Sequence, residues 1–174
     1  MKKKLLIIIL TTFCVISQAQ NIKTKSEIKK MNIIEDKIAL KELVDKFSIW
    51  ADTKEVNKQV LLFTENATVE SFINGKSTGI LEGRKQIGDA FLNFLNLFEI
   101  VYHLNGQQSV EINGNTAKGT SYCLVTLIGT ENGKKMKTTF GIYYNDEFIK
   151  KENQWLINKR KSTFSWQEKQ ELKN

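Results

Sequence analysis

The sequence predicts an α+β fold in which three N-terminal helices precede a run of long antiparallel strands. Three observations carry this. Apolar residues recur at helical spacing before Glu99, they alternate at a period of two after it, and Asn-Gly pairs separate the alternating segments. The chain has no proline, which suits long strands because proline removes a ladder donor.

The first residues, MKKKLLIIILTTFCVISQAQ, combine a basic start at Lys2 to Lys4, an apolar run from Leu5 to Ile16 and small residues at Ser17 and Ala19. This is the form of a secretory signal peptide over residues 1–19, cleaved after Ala19. The apolar run is about 12 residues, short of the roughly 20 that a spanning helix needs. A periplasmic or secreted chain is therefore expected, with no membrane attachment once the signal is removed. Removal leaves Cys123 alone, so no internal disulfide can form. It also lowers the formal charge from +7 to +4 by taking away Lys2, Lys3 and Lys4. Lysines are scattered along the remainder, which argues for a solvated surface and against a nucleic-acid partner.

Residues 20–33 form a polar leader, read as loose. Ile38, Leu40, Leu43, Val44, Phe47, Trp50 and Ala51 then share one helical face. A second, shorter helix follows, with Asp52 and Glu55 spaced as a capping box and Val56, Val60 and Phe63 on one side. Ala67, Val69, Ser71 and Ile73 alternate with Thr68, Glu70 and Phe72 up to a hairpin at Asn74-Gly75 and a short return strand to Leu81. A third helix carries the stripe Ile87, Ala90, Phe91, Phe94, Leu95 and Phe98, read as core. Strands follow over 99–104, 107–113, 116–130, 134–150 and 154–166, turning at Asn105-Gly106, Asn113-Gly114, Asn132-Gly133 and Glu152-Asn153. The charged tail 167–174 is expected to fray. No linker divides residues 34–166, which form one domain.

His103 is the only histidine, on an apolar strand, and its side chain is the one best suited to proton transfer near neutrality. A lone histidine between apolar residues is more often a hydrogen-bonded wall residue than a catalyst, and that reading stands beside the first. Asp52 is either a helix cap or a partner for that imidazole. Cys123 sits in the apolar run YCLVTLI as a buried small hydrophobe. One histidine and one remaining cysteine offer no metal-ligand cluster, and no glycine spacing matches a phosphate loop, so no metal, nucleotide or other cofactor is expected.

Several motifs together resemble one family: Phe47 and Asp52 in and after the first helix, LFTENATVES from Leu62, Gly79 and Gly83 before the third helix, YHLNG from Tyr102, Thr116-Ala117, GIYYNDEF from Gly141, and WLINKR from Trp155. The pattern, over about Ile34 to Phe164, resembles the SnoaL-like branch of the nuclear transport factor 2-like superfamily. The resemblance implies a cone-shaped, cystatin-like curved sheet wrapped around the three helices, a deep apolar cavity, and a homodimer through the outer sheet face. It implies binding of a small apolar or aromatic ligand, with Asp52 and His103 as an acid–histidine pair for cofactor-free dehydratase, cyclase or isomerase chemistry, or a non-catalytic binding or assembly role on the same fold. Phe47, Trp50, Phe63, Tyr122 and Tyr143 are the candidate ligand-binding aromatics, with core or interface packing as their other role. Two positions depart from the family pattern: the dehydratases' second histidine is missing, and Asn66 stands where an acid is usual. Tyr122, Leu124, Ile128 and Phe140 supply the apolar surface expected at the dimer interface.

Overall fold

A computed structural model of the protein describes the backbone of residues 2–173 and the side chains of residues 27–173. The expected signal sequence and its cleavage point after Ala19 lie outside the residues described in full. Two compact units emerge, Met1–Ile38 and Ala39–Asn174, and the second holds the sheet and its core.

Helix α1 (Lys2–Asp52) runs through the polar stretch 20–33, which was expected to be loose; from Glu27 to Glu35 its residues are exposed. That stretch contains neither glycine nor proline and is rich in lysine, so nothing in it stops a helix. Within the second unit Leu40, Leu43, Val44, Phe47 and Ala51 are buried, and Glu42–Lys46 and Lys41–Asp45 pair across the outer side.

The expected capping box is not made. Asp52 is the last residue of α1, where Lys54 turns left-handed at φ 56° and the Glu55 N–H donates to the Trp50 carbonyl at 2.8 Å. This is a helix C-terminal reversal, and it leaves the Asp52 carboxylate free for another partner. Helix α2 (Val56–Gln59) and a 3-10 turn (Val60–Leu62) lead into strand β1 (Phe63–Ile73).

β1 turns into β2 (Lys76–Glu82) through Asn74-Gly75, with φ of 52° and 74° at the two turn residues, as a right-twisted hairpin needs. Helix α3 (Gly83–Leu95) follows, anchored where Arg84 Nε and Nη2 donate to the Phe63 carbonyl at 2.8 and 2.6 Å. Strands β3 (Ile100–Asn113), β4 (Thr116–Glu131), β5 (Lys134–Lys151) and β6 (Gln154–Glu171) complete a curved, unclosed sheet in the order β2-β1-β6-β5-β4-β3. β1 lies parallel to β6 and the other neighbours are antiparallel.

Two strand expectations change. Asn105-Gly106 is not a turn: β3 passes through it with a bulge between Asn105 and Gln108. The tail does not fray from Gln167, because β6 continues to Glu171 opposite Met136 and is held by Lys134–Glu171 and Lys169–Glu131 pairs.

The inner sheet face, with Val125, Leu127, Ile142, Phe148 and Ile157, meets the helices in one core. Gly119 is closely packed: a Cβ there would stand 2.8 Å from Val110 Cγ1, 3.1 Å from Phe148 Cε2 and 3.2 Å from the Ser109 carbonyl oxygen. Gly119→Ala should therefore lower stability by about 1–3 kcal/mol. Urea unfolding should show an earlier midpoint with an unchanged slope.

Candidate functional site

Every fourth residue along the last turns of α1 meets β3. The Leu40 carbonyl accepts from Gln108 Nε2 at 3.3 Å, and the Val44 carbonyl accepts from Asn105 Nδ2 at 3.3 Å. Ser48 Oγ donates to Asn105 Oδ1 at 2.9 Å, and Asp45 Oδ1 accepts from Asn105 Nδ2 at 2.9 Å. Asp52 ends the series. Its Oδ2 accepts from the His103 backbone N–H at 3.1 Å while its Oδ1 lies 2.6 Å from His103 Nδ1.

A carboxylate against Nδ1 holds the proton on that nitrogen and leaves Nε2 as the acceptor. His103 Nε2 has no protein partner among the described residues, and the side chain is only 8% exposed. The imidazole lines a half-open cavity of about 290 Å³. That is near the small end of ligand pockets, roughly 300–1,000 Å³. Its walls are mainly aromatic and aliphatic: Phe47 from α1, Phe91 and Phe94 from α3, Phe140 from β5 and Phe164 from β6.

A buried ion pair contributes to this wall through Arg160. Arg160, 1% exposed, donates through Nε and Nη2 to Asp146 Oδ1 and Oδ2 at 2.8 and 2.7 Å. Its guanidinium carbon lies 4.2 Å from the centroids of both Phe47 and Tyr144. Burial opposes the charge, but Asp146 more than offsets it, and Arg160 is held protonated. Burial also raises Tyr144 above the usual phenol range and pushes the Cys123 thiol up to about 11, while Cys123 Sγ donates to the Leu124 carbonyl at 3.8 Å. Cys123 is thus a buried, protonated thiol.

Of the residues singled out in the sequence, Asp52 and His103 come together, and Phe47 joins His103 on the cavity wall. Trp50 packs against the core without reaching the cavity, and Phe63, fully buried, lies inside the core. Tyr122 and Tyr143 do not line this cavity. They face the outer side of the sheet, their rings 6.0 Å apart and Tyr122 55% exposed, because the inner positions of β4 and β5 belong to Cys123, Ile142 and Tyr144. The α3 stripe read as core supplies cavity wall through Ala90, Phe91, Phe94 and Leu95. Arg160, Asp146 and Gln59 went unrecognised. Asp146 had a legible signal, since it shares the alternation of Ile142, Tyr144 and Phe148 and so places a charge on the buried side. Arg160 did not, because the register shift between Glu147 and Phe148 reverses the inward parity of β6 after Ile157.

Among the described residues, no three His, Cys, Asp or Glu side chains gather as a metal ion requires.

An uncharacterised protein of Mycobacterium tuberculosis is 25% identical over 136 residues, covering 77% of this chain and 88% of its own. A Novosphingobium aromaticivorans structure named for scytalone dehydratase superposes with a TM-score of 0.68 at 17% identity, over 82% of this chain and 91% of that one. A hexachlorocyclohexane dehydrochlorinase superposes with a TM-score of 0.69 at 15% identity, over 83% and 94%. At these identities the superpositions establish the fold, which a further neighbour shares under the description of a nuclear transport factor 2-like protein with a cystatin-like fold. The model of the SnoaL-like domain family matches residues 32–161, and the chain belongs to that family.

Proposed function

We propose that this is an exported, cofactor-independent protein that binds a small apolar or aromatic molecule in its cavity and moves a proton on it through His103. The supporting observation is the two-oxygen grip of Asp52 on the backbone N–H and Nδ1 of His103. It orients the ring, leaves Nε2 toward the cavity, and balances the imidazolium that forms on proton uptake. In an elimination, Nε2 takes a proton from the carbon beside the leaving group. The C–H electron pair becomes the new double bond, and the leaving group departs with its own bonding pair. In an isomerisation the same proton returns to a different carbon. The scytalone dehydratase and dehydrochlorinase names of two neighbours denote loss of water and of hydrogen chloride, which favours elimination.

The test compares His103→Ala, Asp52→Asn and the double variant on the first substrate found. Each single change should cost about a hundred- to ten-thousandfold in turnover, and the double should cost little more than either, because the two residues act as a unit. An Asp52→Asn protein with wild-type turnover would dismiss the pair.

A binding or assembly role on the same fold is favoured by a second observation. Ile100, Tyr102, Leu104, Tyr122, Leu124 and Trp166 are 38–56% exposed on the outer sheet face. Phe140, expected there, lines the cavity instead. A homodimer would cover this apolar face. Light scattering at micromolar concentration should give the mass of two mature chains, and Tyr122→Glu should give one while ligand binding persists. A wild-type mass of one chain would refute the dimer.

Export rests on the basic start at Lys2 to Lys4, the apolar run and the small residues Ser17 and Ala19. Mass spectrometry of the native protein should find Gln20 first. An intact chain beginning at Met1 or Lys2 in the cytoplasm would count against it.

A further inference from the structure

Two buried polar atoms of residues that line the cavity have no hydrogen-bond partner among the described residues: Arg160 Nη1 and Gln59 Oε1. Both side chains are 1% exposed, so neither is met by bulk water. Their orientation is fixed from behind. Asp146 occupies Nε and Nη2 of Arg160, which turns the remaining Nη1 edge away from the ion pair. Gln59 Nε2 donates to the Phe47 carbonyl at 3.0 Å, which leaves Oε1 as its free end. Phe47 links the two, holding Gln59 through its carbonyl and Arg160 against its ring.

Nη1 carries two N–H donors, and Oε1 is an acceptor. Unmet buried groups of this kind are costly, and a ligand that satisfies both gains accordingly. One functional group does so if it accepts and donates at once, as a hydroxyl or a primary amide does. A carboxylate accepts from Nη1 but offers nothing to Oε1. The Arg160 charge is also already balanced by Asp146, so no net positive charge remains to draw an anion.

We infer that Arg160 Nη1 and Gln59 Oε1 form a specificity site in the cavity for a neutral ligand bearing a hydroxyl or primary amide, and that this site selects against the corresponding acid. This rests on the ligand-binding reading above but needs no chemistry at His103.

The test is calorimetric titration of the mature protein with toluene, p-cresol and p-toluate, which share a ring and differ in one substituent. p-Cresol should bind at least about tenfold more tightly than toluene, the usual scale of a hydrogen bond to a charged group, and p-toluate no more tightly than toluene. In Gln59→Met the p-cresol advantage should shrink to within about threefold, with toluene unaffected. In His103→Ala it should persist. Equal binding of toluene and p-cresol by the wild type would overturn the specificity site, with the two orphan atoms bridged by an ordinary buried water that the hydroxyl does not displace. p-Toluate as the tightest ligand would overturn it in favour of an anion site. Loss of the preference in His103→Ala would overturn it by moving hydroxyl recognition to the imidazole. If none of the three probes binds, the ligand-binding reading itself fails and takes this inference with it.

Discussion

The polar seam between α1 and β3 is the constraint on which the site depends. Leu40, Val44, Ser48 and Asp52 repeat at four-residue intervals, so they fall along one side of the helix and reach β3 in sequence. The seam does two jobs at once. It holds the side chains of Asn105 and Gln108, the paired residues on either side of the bulge, and its last member sets the rotation of the imidazole. The bulge and the catalytic candidate are therefore parts of one arrangement: Asn105, at the bulge, is bonded to α1, and His103, two residues earlier, lies within 2.6 Å of the helix's final carboxylate.

The buried Arg160–Asp146 pair plays the matching role on the other side of the cavity. Buried pairs of this kind add little net stability over an apolar core, although removing one partner typically costs about 3–5 kcal/mol. What the pair supplies here is position. Two strands, β5 and β6, are pinned in register at Asp146↔Arg160, and the guanidinium gives Phe47 and Tyr144 a charged surface to pack against. Phe47 is the common element, since it touches Phe63, Phe91 and Tyr144 edge to face and also carries the carbonyl that holds Gln59.

Elements governed by local chemistry were legible in the sequence. The face of α1 from Leu40 to Ala51 and the left-handed pairs at Asn74-Gly75 and Asn132-Gly133 follow from periodicity and glycine conformational freedom. Long-range partners decided the rest. Asn105-Gly106 has turn chemistry, yet Asn105 is bonded to α1, and the strand continues. Asp52 and Glu55 have capping spacing, yet a contact 51 residues away takes the carboxylate. Tyr122 and Tyr143 lie on the outer face, which alternation alone cannot tell from the inner face of a bent sheet. Every register shift, such as that at Glu147/Phe148, exchanges the two faces again.

β3 is the outermost strand at its end of the sheet, and its free backbone edge would ordinarily invite a second strand to add on. The bulge at Asn105 to Gln108 breaks that edge into two short runs that no straight incoming strand can follow in register. The kink that delivers His103 to Asp52 thus also blunts the sheet against open-ended growth, and selection for a correctly aimed imidazole would protect solubility at the same time.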